Sequence, residues 1–208
     1  MKGISIVLGI LVLVLAGLCL YFYDANKKKE RELQASYESK IADISKGSQA
    51  EVAELTAAYQ RMVKEMEEEI EQGQIKITQL SDRLSVTMID KILFPSGEAE
   101  ITPEGMSILT RVGEILKNTP GRIIRVEGHT DNVRIASRLQ KKFPTNWELS
   151  TTRATNVVRF FQDKVGIEGV RLRAVGMSEY HPVESNETRE GRIQNRRIEI
   201  ALLPEPVQ

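Results

Sequence analysis

Three residue types that could do chemistry stand together in "VEGHTDNV", residues 126–133: His129, Thr130 and Asp131. They close an apolar run, "RIIRVEG", that reads as a strand ending at Gly128. Loops at strand ends are where binding and catalytic residues concentrate. Further along, Arg153 lies early in a segment that reads as a helix. A cation is disfavoured there, because a helix N-terminus carries partial positive charge, so an anion should stand nearby. Asp131 is one candidate and a ligand carboxylate is another; spacing alone leaves a plain Asp131–Arg153 salt bridge equally open. Catalysis is harder to assemble. On an extended segment His129 and Asp131 would point the same way and could form a dyad. No Ser or Cys nucleophile accompanies them beside a second histidine or a sharp glycine turn. The expectation is a binding protein and not an enzyme, with His129 packing at the strand end.

Composition narrows the classes further. The 208 residues carry 29 Lys and Arg against 29 Asp and Glu, without the basic excess of a nucleic-acid binder. Cys19 is the single cysteine, so no intramolecular disulfide can form. With two histidines, His129 and His181, a metal site would have to lean on carboxylates. Neither a metal nor a cofactor is expected.

The elements that would position these residues fall into segments. Residues 4–23 are uncharged and, at about 1.5 Å per residue, span roughly a bilayer core as a helix. They predict a transmembrane anchor over 1–23, a single pass. A rival is a lipoprotein anchored at Cys19, against which Leu18 stands where such signals want Gly or Ala. Residues 24–87 lack proline and are rich in Glu, Lys, Gln and Ala. Their apolar positions from Leu33 to Leu84 step by threes and fours, averaging about 3.6. That predicts a helical stalk on the order of 90 Å long, associating in parallel as a coiled coil, most simply a dimer. A lone solvated helix is the alternative.

Residues 88–204 change character, with 205–208 a short tail. "TMIDKILF" reads as a strand. "TPEGMSILTRVGEILKN" reads as a helix with Thr102 as N-cap, Pro103 at its first position and Ile108, Leu109, Val112, Ile115 and Leu116 on one face. "NWELSTTRATNVVRFFQDKVG" reads as a second helix stopping at Gly166, capped by a Thr145–Glu148 box or by Ser150. "VRLRAVGM" and "RRIEIALL" complete four strands. The fold class is α+β, a βαβαββ sandwich with helices on one sheet.

At "EGHTD", "NWELSTTRATNVV" and "EGRIQNRRIEI" the chain resembles the C-terminal domain of the OmpA/MotB family of peptidoglycan-binding proteins. "LFPSGEAEITPEG" fits the family's first strand and helix start, and the resemblance covers residues 88–204. It implies noncovalent attachment to the cell wall, through a pocket for the diaminopimelate of the stem peptide. By that resemblance Asp131 meets the ligand's ammonium and Arg153 its carboxylate. Asn146 and Arg196 would add hydrogen bonds and charge, and Thr130 and Leu149 stand in matching motifs. Residues 132–145, "NVRIASRLQKKFPT", form a longer insertion of the kind MotB-like members carry. The apolar run 4–23 holds no carboxylate for an ion channel, so a stator role would need a membrane partner. The resemblance also implies a periplasmic C-terminal domain on an inner-membrane anchor. Lys27, Lys28, Lys29 and Arg31, just after the run, argue for the opposite orientation.

Overall fold

The computed structural model describes residues 49–80 and 82–205, together with 23, 26–29, 31–34 and 36–38. The chain divides into two compact units, residues 1–51 and residues 52–208. In the first, the described residues are helical and exposed. The apolar run expected to cross a membrane lies outside the described residues but for Tyr23, as do its orientation and residues 39–48 of the stalk. Among the described residues, no helix is long and apolar enough to cross a membrane.

The second unit is an α+β fold on one five-stranded mixed sheet. Helix α1 covers residues 52–65 and a short α2 covers Glu67–Glu71. Strands β1 (Ile75–Gln79) and β2 (Leu84–Ile89) form a hairpin, followed by the single turn α3 (Asp90–Leu93). Then come α4 (Pro103–Lys117), β3 (Arg122–His129), α5 (Asn146–Phe160), β4 (Leu172–Ser178), α6 (Arg189–Asn195) and β5 (Arg197–Pro204). The strand order is β1-β2-β5-β3-β4. Only β3 and β4 pair in parallel, as the crossover through α5 requires.

The expected helix over 24–87 therefore ends well before residue 87. Gly73, at φ +67°, takes the left-handed conformation that closes a helix. Beyond it burial alternates with a period of two along β1 and β2, with Leu84, Val86 and Met88 facing the core. The stalk positions Leu55, Met62 and Met66 are not a seam for a second chain. They are fully buried and join Val86, Met88, Leu109 and Val126 in one hydrophobic core. "TMIDKILF" is strand only as far as Ile89, and "DKIL" turns as α3. The sheet thus has five strands rather than four, and its unit starts at Val52 rather than at residue 88.

The two long helices form as their sequences dictate. Thr102 caps α4 by accepting from the Gly105 amide at 3.0 Å, with Pro103 at the first position. Thr145 caps α5 through a complete capping box: its hydroxyl accepts from the Trp147 amide at 3.1 Å, and the Glu148 carboxylate accepts from the Thr145 amide at 2.8 Å. The C-terminal end of α4 is closed by Arg171, whose guanidinium donates to the carbonyls of Leu116, Lys117 and Thr119.

Candidate functional site

Two glycines decide where α5 lies. Gly128 and Gly176 are paired neighbours on β3 and β4. A Cβ on Gly128 would stand 2.2 Å from the Ser150 carbonyl oxygen, and one on Gly176 2.0 Å from the Thr151 hydroxyl. Their bare backbones let the first turns of α5 rest directly on the sheet. That contact brings the start of α5 beside the end of β3, where Thr130 and Asp131 leave the strand.

The result is a cleft of about 800 Å³. The end of β3, the start of α5, the insertion 132–145, the turn after α3 and the end of α6 all contribute to its walls. Thr130, Asp131, Asn146, Leu149, Arg153 and Arg196, six residues from three separate stretches of sequence, all line it. The ion pairs inside differ from the Asp131–Arg153 pair that spacing left open. Arg153, 2% exposed, pairs through Nη1 with Asp90 Oδ1 at 2.9 Å. Its Nε donates to the Glu98 carbonyl at 2.8 Å, and its guanidinium lies 5.0 Å from the Phe94 ring centre. Asp131 pairs instead with Arg196 and accepts from the Val133 amide at 3.0 Å.

Asp90, which no sequence motif singled out, also lines the cleft. It is buried beside Arg153, yet burial outweighs that cation and pushes its carboxyl up to about 6. Burial likewise lowers Arg153 from its ordinary value, with Asp90 opposing the shift. A carboxylate whose charge burial disfavours is a replaceable partner for a cation. Asn146 acts as a clamp: its Nδ2 donates to the carbonyls of Asp131 and Val133, both at 3.2 Å, and to Glu179 Oε2 at 2.6 Å. Leu149 packs with Phe143 and Ala99 in a small second core, which fastens the insertion beneath the cleft. Thr130 is 4% exposed and its hydroxyl meets no hydrogen-bond partner among the described residues. A buried hydroxyl at a cleft wall without a partner is a group that a ligand can satisfy.

His129 forms no dyad with Asp131. It is buried, with Nε2 3.6 Å from Glu127 Oε2. Glu127, His129 and Glu199 gather their donor atoms within 4.8 Å. Arg125 and Arg197 already pair with the two carboxylates, at 2.5 Å and 2.7 Å, so the cluster is charge-balanced without a cation.

Known proteins resemble this chain in sequence and fold. A family model described as the OmpA family matches residues 93–196. Motility protein B of Bacillus subtilis is 33% identical over 156 residues, 75% of this chain and 58% of that protein. The peptidoglycan-binding protein ArfA of Mycobacterium tuberculosis is 33% identical over 111 residues, 53% of this chain and 32% of that protein. The solved structure of the cell wall anchor of the T6SS from Pseudomonas aeruginosa superposes with a TM-score of 0.63 at 33% identity, covering 70% of this chain and 98% of that one. The chain spans little more than half the length of Motility protein B.

Proposed function

From the premise that the chain belongs to the OmpA family, we propose that it binds peptidoglycan noncovalently and tethers the membrane to the cell wall. One observation carries the reading: Asp131 and Arg153, opposite in charge and both buried, line the same cleft. That is the arrangement a zwitterion needs. The ammonium of a diaminopimelate residue meets Asp131, and its carboxylate meets Arg153 through the planar guanidinium. Arg153 exchanges Asp90, whose charged form burial disfavours, for the ligand's carboxylate. Arg196 moves from Asp131 to the same carboxylate, Asn146 keeps the Asp131 loop in place, and the Thr130 hydroxyl gains its partner. No reaction follows, and the chain is not an enzyme. The names of ArfA and of the cell wall anchor support this reading.

The test is sedimentation of the full chain with insoluble diaminopimelate-type peptidoglycan. Asp131→Ala and Arg153→Ala should each weaken capture, while His129→Ala should change it little. In the cell, the apolar run 4–23 would hold the protein in the inner membrane with the cleft in the periplasm. A reporter active only in the periplasm, fused after Gln208, should be active; activity of a cytoplasm-only reporter would reverse the orientation.

A second reading is a motor-associated subunit working beside a membrane partner. It is favoured by the match to Motility protein B, which extends beyond the family-matched region to 156 residues. Co-purification from membranes of a partner with polar residues in its own spans would support it. Recovery of the chain alone would favour the tether.

A further inference from the structure

We infer that the cleft selects stem peptides that keep their other carboxylates free, an inference that rests on the function proposed above. The charge of the walls points to it. Beyond Arg153 and Arg196, five more cations line the cleft: Lys91, Arg134, Arg138, Arg189 and Arg192. The acids lining it are Asp90 and Asp131, and each is already paired. The whole chain carries a formal charge of zero, so this excess is local. Lys91, Arg134, Arg138 and Arg189 are exposed and form no ion pair or hydrogen bond with any described residue. Arg192 donates only to the neutral carbonyls of Asn186 and Glu187.

Cations on an exposed loop are most often a solvated face, and two features separate these from that case. First, they line a concave wall, where like charges reinforce one potential instead of dispersing into solvent. Second, the segment carrying Arg134 and Arg138 is fastened. Asn146 holds the Val133 carbonyl at 3.2 Å, a Cβ on Gly97 would meet the Leu139 side chain at 2.5 Å, and Phe143 is buried at 2% exposure. Each arginine sits next to an anchored residue.

A diaminopimelate zwitterion neutralises none of this excess, since its ammonium and carboxylate cancel. A stem peptide with free carboxylates on its D-glutamate and terminal D-alanine brings two more anions. Amidation or cross-linking of those groups removes them. The carboxylates would meet Arg134 and Arg138 at the insertion wall, in partly hydrated contacts.

The experiment uses the full chain in mild detergent and two soluble stem peptides. One is L-Ala–γ-D-Glu–diaminopimelate–D-Ala, and the other is the same peptide amidated at D-Glu and D-Ala only. Calorimetry should find the free peptide bound roughly 2- to 30-fold more tightly, the range expected for two exposed charge contacts. The gap should narrow in high salt. The double variant Arg134→Ala/Arg138→Ala should close it by losing affinity for the free peptide. Equal binding of both peptides by the unaltered chain overturns the inference while the wall-binding function stands. A gap that survives in the double variant overturns it too. Binding of neither peptide defeats both claims. Displacement of the peptide by poly(glycerol phosphate) at lower carboxylate-equivalent concentration assigns the cations to a wall phosphodiester instead, and also overturns it.

Discussion

Asp90 offers a quantitative test, because burial and ion pairing oppose each other at one atom. Its carboxyl is raised from 3.8 to about 6, with burial the largest cause and the Arg153 charge the main opposing one. A raised pKa means that the folded state holds the proton more tightly than the unfolded chain. The stability this contributes is fully present below about pH 3.8 and is lost as pH rises through about 6. Over the whole window the loss is roughly 3 kcal/mol, at about 1.4 kcal/mol per pH unit of displacement. Between about pH 5 and pH 7.5 it is on the order of 1–2 kcal/mol. Asp90→Asn keeps the shape and an acceptor for Arg153 but cannot ionise. Urea denaturation of both proteins at the two pH values isolates the contribution. The stability of the unaltered protein relative to Asp90→Asn should fall by that amount from pH 5 to pH 7.5. A flat difference, or one that rises with pH, would show that the Arg153 charge outweighs burial. Asp90 would then be a firm partner that no ligand carboxylate displaces.

Other outcomes follow from the packing. Gly128→Ala forces a methyl group against the Ser150 carbonyl oxygen and should cost about 1–3 kcal/mol in denaturation, together with wall capture, because the start of α5 moves off the sheet. Arg171→Ala frees the last carbonyls of α4 and should lower stability by about 1–2 kcal/mol while leaving wall capture intact. Deleting residues 1–51 should leave a folded protein by circular dichroism. Deleting residues 1–87 removes α1, β1 and most of β2, exposes the core around Val126 and Ile200, and should abolish cooperative melting.

The parts of the fold governed by local rules were legible in the sequence. Thr102 with Pro103, and Thr145 with Glu148, announced two helix starts that the structure keeps. The β1–β2 hairpin was not legible, because Ile77, Leu80 and Leu84 fit helical steps of three and four as well as strand alternation. "SDR", between two alternating runs, was the available turn signal. Helix α6 escaped because its seven residues are mostly polar and carry no apolar stripe. At the cleft, the residues lining it could be named from their motifs, but their pairing could not. Asp131 with Arg196 and Arg153 with Asp90 are contacts between distant elements, and no spacing rule encodes them. Asp90 left one trace, a carboxylate in the middle of "MIDKILF", where an apolar run has no reason to carry a charge unless a cation waits inside.

The central claim is that one zwitterion spans Asp131 and Arg153, and sedimentation with diaminopimelate-type peptidoglycan tests it most directly. Binding of the full chain should saturate and be displaced by a soluble diaminopimelate stem peptide. Asp131→Ala and Arg153→Ala, each checked for folding by circular dichroism, should reduce affinity roughly 10- to 100-fold, the loss of one charged hydrogen bond at about 1.5–3 kcal/mol. Folded single variants that sediment like the unaltered protein would contradict the claim, leaving Asp131–Arg196 and Arg153–Asp90 as structural ion pairs.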